Sequence, residues 1–377
     1  MTDAPAALAW QPGDDPGGRR FARLTVTDED GLLLESGARL PGVAVAYETW
    51  GTLDAARSNA VLVLHALTGD SHAVGPAGAG HPTPGWWEPL IGPGRAVDTD
   101  RWFVVCPNVL GGCQGTTGPS SASPDGSPWG SRFPALTIRD QVAAEVLLAD
   151  ELGIDRWAAV VGGSMGGMRV LEWCVGHPDR VARASVLAVG ATATAEEIGL
   201  CSIQCRTIRL DPDFAGGDYY ATGRAPLAGM ALARGIGQIT YRTEAEFDQR
   251  FGRRPQDEED PVAGGRFAVE SYLGYQGEKL ARRFDPNSYL VLSQAMNSHD
   301  VGRGRGGVTA ALARVRAQVH VAGIDSDRLY PLALQQELAR LLPGGRPCTV
   351  IGSPFGHDGF LLEVDQVGAV LAAALSS

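Results

Sequence analysis

A serine bracketed by two pairs of glycines, Gly162-Gly163-Ser164-Met165-Gly166-Gly167, follows an apolar run at residues 157–161 and precedes a helix-compatible stretch at 168–174. A strand that turns sharply into a helix through such a serine holds the hydroxyl clear of the backbone. The helix start behind it offers free N–H groups to a developing anion. A serine hydroxyl is a poor nucleophile until a histidine removes its proton, and that histidine needs a carboxylate to hold its tautomer and stabilise its charge. The chemistry on offer is therefore acyl transfer through a covalent serine intermediate, provided the partners exist.

Seven histidines compete for the role of base. His65, His72 and His81 precede the serine and His177 closes the helix after it, so solvated or capping roles are expected for these four. His320 lies within a strand pattern and reads as core. His299, in Asn297-Ser298-His299-Asp300, is polar and could line a site. His357 stands in Pro354-Phe355-Gly356-His357-Asp358-Gly359-Phe360, a glycine-flanked loop after the last strand, and is preferred over His299. For the carboxylate, Ile324-Asp325-Ser326-Asp327-Arg328-Leu329 sits between a strand and a helix, and spacing leaves Asp325 and Asp327 both open.

These residues need a scaffold, and the chain supplies its pattern. Continuous apolar runs at 60–65, 102–106, 157–161, 184–189 and 319–324 predict strands buried on both faces of a parallel sheet. Residues 32–34 and 43–48 read as early strands, in a hairpin through Pro41-Gly42, and 348–351 as a last short one. Helical spacing at 137–152, 168–174, 332–342 and 364–375 completes a strand–helix alternation, so the fold class is α/β. The texture changes near residue 193: helical patterns at 196–210, 229–236, 244–251 and 289–296 follow without a buried strand. The expected organisation is a loose N-terminal arm over 1–20, an α/β domain over 21–192 and 310–377, and a helical insertion over 193–309 that caps the site. The segment 111–129 is rich in Gly, Ser, Thr and Pro, a long unpatterned loop of the kind that is functional or disordered.

Composition bounds the function. A hydrophobic fraction of 44% with 20% charged residues suits a globular protein with a sizeable core, and a net charge of −11 argues against nucleic acid or anionic membrane as partner. The six cysteines form no C-x-x-C pair and no cluster with zinc-ligand spacing, so free thiols and no metal are expected. Residues 1–10 lack the basic and apolar regions of a signal peptide, and no apolar run is long enough to span a bilayer; a cytoplasmic protein is the default expectation.

Taken together, His65-Ala66-Leu67-Thr68-Gly69, the run Asn108-Val109-Leu110-Gly111-Gly112-Cys113-Gln114-Gly115-Thr116-Thr117-Gly118-Pro119, the glycine-bracketed serine, Ser326-Asp327-Arg328-Leu329-Tyr330-Pro331 and Gly356-His357-Asp358-Gly359-Phe360 resemble the homoserine O-acetyltransferase family of the α/β-hydrolase superfamily. The resemblance implies an α/β-hydrolase fold with an inserted helical lid. It implies Ser164 as nucleophile, Asp327 rather than Asp325 as orienting acid and His357 as base. An oxyanion hole from the N–H groups of Leu67 and Met165 follows, with Arg234 on the acceptor's carboxylate and Asp358 on its amino group. The activity it implies is transfer of acetyl from acetyl-CoA, a substrate and not a bound cofactor, to the hydroxyl of L-homoserine in methionine biosynthesis, by a homodimer. Succinyl-CoA as donor, serine as acceptor, or an esterase using water are the alternatives.

Overall fold

The computed structural model describes residues 9–26 and 31–376. Its strands are β1 (Arg20–Arg23), β2 (Leu32–Leu33), β3 (Arg39–Leu40), β4 (Ala44–Trp50), β5 (Ala60–Leu64), β6 (Ile91–Gly92), β7 (Val97–Asp98), β8 (Phe103–Pro107), β9 (Ala159–Gly163), β10 (Arg183–Leu187), β11 (Gln318–Ile324) and β12 (Thr349–Ile351). The helices are α1 (Ile138–Glu151), α2 (Met165–Gly176), α3 (Ala195–Leu210), α4 (Leu227–Tyr241), α5 (Glu244–Arg250), α6 (Ala268–Ala281), α7 (Pro286–Asn297), α8 (Val308–Leu312), α9 (Leu332–Leu341), α10 (Gly359–Leu362) and α11 (Val364–Ser376).

Eight strands form one sheet in the order β1-β4-β8-β5-β9-β10-β11-β12. β1 and β4 are antiparallel to their neighbours, and from β8 onward every pairing is parallel. The apolar runs are continuous because both faces are covered. In β5, Leu62 and Leu64 pack into a core shared with α1 and α2, whereas Val61 and Val63 pack with Val367 and Leu371 of α11. Alternate side chains of a strand point to opposite faces, so a strand covered on both sides has no polar position left.

Helices α3 to α8 lie in the chain between β10 and β11, and α4 packs against both α3 and α6. Thr194 caps α3 reciprocally: its side chain accepts the Glu197 N–H while the Glu197 carboxylate accepts the Thr194 N–H. Among the described residues no single helix is long and apolar enough to cross a membrane.

Two expectations change and a third is narrowed. Residues 32–33 pair antiparallel with Arg39–Leu40, so the hairpin closes before Pro41-Gly42, and 44–50 joins the main sheet instead. The arm expected to be loose over 1–20 is packed where described: Trp10 N–H donates to Cys113 O (2.9 Å), its ring stacks on Phe21, and buried Arg19 donates to Gly80 O (2.7 Å) and Gln114 Oε1 (3.0 Å). Residues 1–8 lie outside the described part. The segment 111–129 is ordered by its own polar side chains, with the Thr116 and Thr117 hydroxyls accepting N–H bonds from β4 at Ala46 and Ala44.

Candidate active site

β9 delivers Ser164 to the carboxyl edge of the sheet and α2 begins at the next residue. Ser164 has φ 56° and ψ −127°, a conformation costly for a residue with a Cβ and characteristic of functional positions. The surrounding glycines permit it: a Cβ on Gly166 would collide with the Leu64 carbonyl oxygen, and one on Gly162 would stand 2.8 Å from the same atom. Ser164 N–H is anchored on Leu187 O (3.0 Å), which ties the strained residue to β10.

His357 lies in a 3-10 turn (Gly356–Asp358) after β12, and its Nδ1 is 2.6 Å from Asp327 Oδ2. The other carboxylate oxygen of Asp327 accepts the N–H groups of Leu329 and Tyr330, both at 2.9 Å. Asp327 is thus locked by backbone and aimed at the imidazole. Asp325, the other candidate that spacing left open, instead accepts the Ser353 N–H (3.0 Å). The His357 ring is stacked on Tyr330 (4.9 Å) and edged by Phe360 (5.4 Å), and its Nε2 is buried with no hydrogen-bond partner. Burial alone would lower the pKa of His357; the charge and hydrogen bond of Asp327 outweigh it and hold the value above the usual 6.5.

Ser164 and His357 border one cavity of about 100 Å³, lined also by Leu67, Phe360, Leu200, Arg234, Tyr241 and Met296. Leu67 follows β5, and Met165 opens α2, where the first N–H groups have no intrahelical acceptor. Arg234 on α4 reaches the cavity with its guanidinium 5.5 Å from the Tyr241 ring centroid. Asp358 also borders it, but with an ion pair to Arg242 (3.3 Å), itself paired with Glu246 (2.8 Å). The structure therefore brings Ser164, Asp327, His357, Leu67, Arg234 and Asp358 to one place, with Met165 immediately behind the serine.

Four histidines differ from expectation. His65 is buried, its Nε2 accepting Val109 N–H (3.0 Å) and its Nδ1 donating to Ala66 O (2.8 Å). Burial pushes its pKa to about 3, so it stays neutral and pins the loop that carries Leu67. His72 and His81 are buried and stacked at 3.7 Å beside Glu48. His299 points its Nε2 at Gly190 O (3.1 Å), bracing the loop after β10 rather than lining the cavity. His177 does close α2, as expected.

Among the described residues, Glu48, His72 and His81 are the group whose donor atoms could converge on a metal, within 4.8 Å of one another. Those atoms are already engaged. His72 sits between two acceptors, Glu48 Oε2 (3.0 Å) and Pro76 O (3.3 Å), and His81 Nε2 accepts Gly18 N–H (2.9 Å).

Residues that spacing did not single out complete the site. Arg169 is fully buried between Glu145 (2.6 Å) and the His65 carbonyl (2.5 Å), joining α1, α2 and the end of β5. Tyr241 and Tyr330 wall the cavity, and Glu197 reaches it from the first turn of α3. Glu197 has a local signal in the sequence, since Thr194-Ala195-Glu196-Glu197 is the signature of a capping box, and Tyr330 lies within the motif at residues 326–331.

A sequence model of the alpha/beta hydrolase fold family matches residues 59–364. The chain is 62% identical to a homoserine O-acetyltransferase of Thermobifida fusca (strain YX) over 373 residues, covering 99% of this chain and 97% of that one. It is 59% identical to a homoserine O-acetyltransferase of Mycobacterium tuberculosis (strain ATCC 25177 / H37Ra) over 352 residues, 93% of each chain. Among solved structures it is similar to homoserine O-acetyltransferase from Bacillus anthracis, with TM-score 0.85, 28% identity and coverage of 95% of this chain and 97% of that one. Esterase E22 is similar to the same degree, with TM-score 0.85, 27% identity and coverage of 95% and 99%. The backbone is thus common to transferases and esterases, whereas relatives near 60% identity over nearly the whole length are named transferases: this chain belongs to the homoserine O-acetyltransferase family of the α/β-hydrolase fold.

Proposed function

We propose that this protein transfers acetyl from acetyl-CoA to the side-chain hydroxyl of L-homoserine, as a step of methionine biosynthesis. The observation that carries the reading is that one small cavity joins the Ser164 and His357 pair to both Arg234 and Asp358. An esterase needs the first two; a zwitterionic acceptor calls for a cation and an anion as well. A guanidinium grips a carboxylate through two parallel hydrogen bonds.

In the first half-reaction His357 Nε2 takes the Ser164 hydroxyl proton as Oγ attacks the thioester carbonyl. The oxyanion is received by the N–H groups of Leu67 and Met165, each such donor being worth roughly 10²–10³ in rate. The tetrahedral species collapses, the C–S bond breaks and the CoA thiolate leaves with the proton from His357. Homoserine then enters, His357 takes its hydroxyl proton, the new oxygen attacks the acetyl-serine ester, and O-acetylhomoserine departs as Oγ regains the proton. Asp327 holds the Nδ1–H tautomer throughout, so that Nε2 presents its lone pair to Ser164.

Water competes with homoserine at the second step. The helices between β10 and β11 act as a lid over residues 193–309, and Leu200, Met296 and Tyr241 at the cavity wall disfavour a hydrolytic water. Exposed apolar side chains on adjoining lid helices, Ile203 and Leu210 on α3, Leu232 on α4 and Tyr275 on α6, are in keeping with a homodimer. Six free thiols are in keeping with a cytoplasmic setting.

A donor and acceptor matrix tests the reading: acetyl-CoA and succinyl-CoA, each against homoserine, serine and water. Acetyl-CoA with homoserine should dominate. Turnover unaffected by homoserine would make the protein an esterase, the reading that the likeness to esterase E22 favours.

A further inference from the structure

Two helices here carry reciprocal N-terminal caps, and they treat the capping carboxylate differently. In α1, Asp140 accepts Thr137 N–H with one oxygen (2.8 Å) and Glu35 N–H with the other (2.8 Å), so both its oxygens are partnered. In α3, Glu197 accepts only Thr194 N–H (3.2 Å) through Oε2; its Oε1 is buried with no partner. Glu197 is 4% exposed, although a capping glutamate on a first turn does its work equally well in water. It borders the cavity shared by Ser164 and His357.

The charged groups that act on Glu197 belong to the triad, His357 drawing it toward the ionised form and Asp327 opposing that. Tyr330 and Cys201 also adjoin it, and burial raises both far enough that neither carries charge near neutral pH. Asp358 and Arg234 share the same cavity, the former already engaged by Arg242. A cap does not explain a carboxyl group with one oxygen unpartnered in the cavity that His357 also borders.

We infer that Glu197 is a positioning residue that sets the basicity of His357, adding a titratable negative charge to those of Asp327 and Asp358. When ionised it stabilises the imidazolium that forms as Ser164 attacks; when protonated it withdraws that help. Burial raises its own pKa to about 7, so the change falls near neutral pH. The inference rests on the Ser164, Asp327 and His357 reading above and adds a fourth group to it.

The test compares wild type with Glu197→Gln in the acylation half-reaction alone. Release of p-nitrophenol from p-nitrophenyl acetate is followed without acceptor, at the isosbestic wavelength, from about pH 5 to about pH 9. Glutamine keeps the volume and the acceptor for Thr194 N–H but cannot ionise. A negative charge favours protonated histidine, so its removal should move the acid limb to lower pH by roughly half a unit to one unit and lower the plateau severalfold. Thr194→Ala weakens the cap but keeps the carboxyl group: its melting temperature should fall while its acid limb stays closer to wild type than that of Glu197→Gln. An acid limb in Glu197→Gln that coincides with wild type overturns the inference and leaves Glu197 a cap. Ser164→Ala serves as control: a burst that survives there overturns the triad reading, a separate failure.

Discussion

Replacing Asp327 by asparagine asks how much of the catalysis is held by one oriented proton. Oδ1 of Asp327 accepts two backbone N–H groups, from Leu329 and Tyr330, at 2.9 Å each. Asparagine has one acceptor oxygen, and these two fixed donors will claim it. The NH2 group is then left facing His357 Nδ1, where the 2.6 Å bond now lies. Two donors cannot share that contact, so Nδ1 must become the acceptor and the ring proton moves to Nε2, the nitrogen that should accept from Ser164. The negative charge that holds the His357 pKa above 6.5 is lost in the same step. The equivalent change in serine proteases costs ~10⁴ in rate, about 5.5 kcal/mol at ~1.36 kcal/mol per tenfold. Because the backbone caps survive, the folded state should persist, with a melting temperature within a few degrees of wild type, as for roughly 1 kcal/mol. Acetyl-enzyme formation, followed by intact mass after rapid mixing with acetyl-CoA, should slow by about that ~10⁴ factor. A rate within about tenfold of wild type, in a protein that melts normally, would refute the orienting role of Asp327 and with it the tautomer argument.

Arg234→Ala should raise KM for homoserine by roughly tenfold to a hundredfold while leaving KM for acetyl-CoA unchanged, and Arg234→Lys should fall between because an ammonium lacks the planar fork; equal effects on both substrates would remove Arg234 from the acceptor site. Gly166→Ala would drive a Cβ into the Leu64 carbonyl, and backbone cannot give way as a flexible side chain can, so a loss of about 1–3 kcal/mol or more is expected in thermal or urea unfolding; a wild-type melting curve would show that the elbow has slack. The active form of His357 is neutral and its protonated form is favoured by Asp327, so activity is lost as pH falls. The acid limb of kcat/KM for acetyl-CoA should lie above 6.5. A limb near pH 5 would mean that burial, not the ion pair, dominates at His357.

Local signals were legible from residues alone. Strands such as Ala60–Leu64 and Ala159–Gly163 show as unbroken apolar runs because burial on both faces removes every polar position, and the glycine-bracketed serine shows because its backbone geometry admits few other residues. Chain order and loop position narrowed the base to His357, and the capping box of α3 was spelled out by Thr194 and Glu197. What a short window cannot encode is which distant atoms meet. Asp325 and Asp327 differ by one turn of loop, and only the packing of that loop against the 3-10 turn after β12 decides which carboxylate faces the imidazole. His72 and His81 look like surface residues in sequence, yet Glu48 from another strand and the N-terminal segment enclose them. The same holds for Glu197: the Thr194 and Glu197 spacing fits a helix cap, while the tertiary fold decided that this cap borders the cavity that His357 also borders, because the cavity is assembled from distant segments and from nothing within α3 alone.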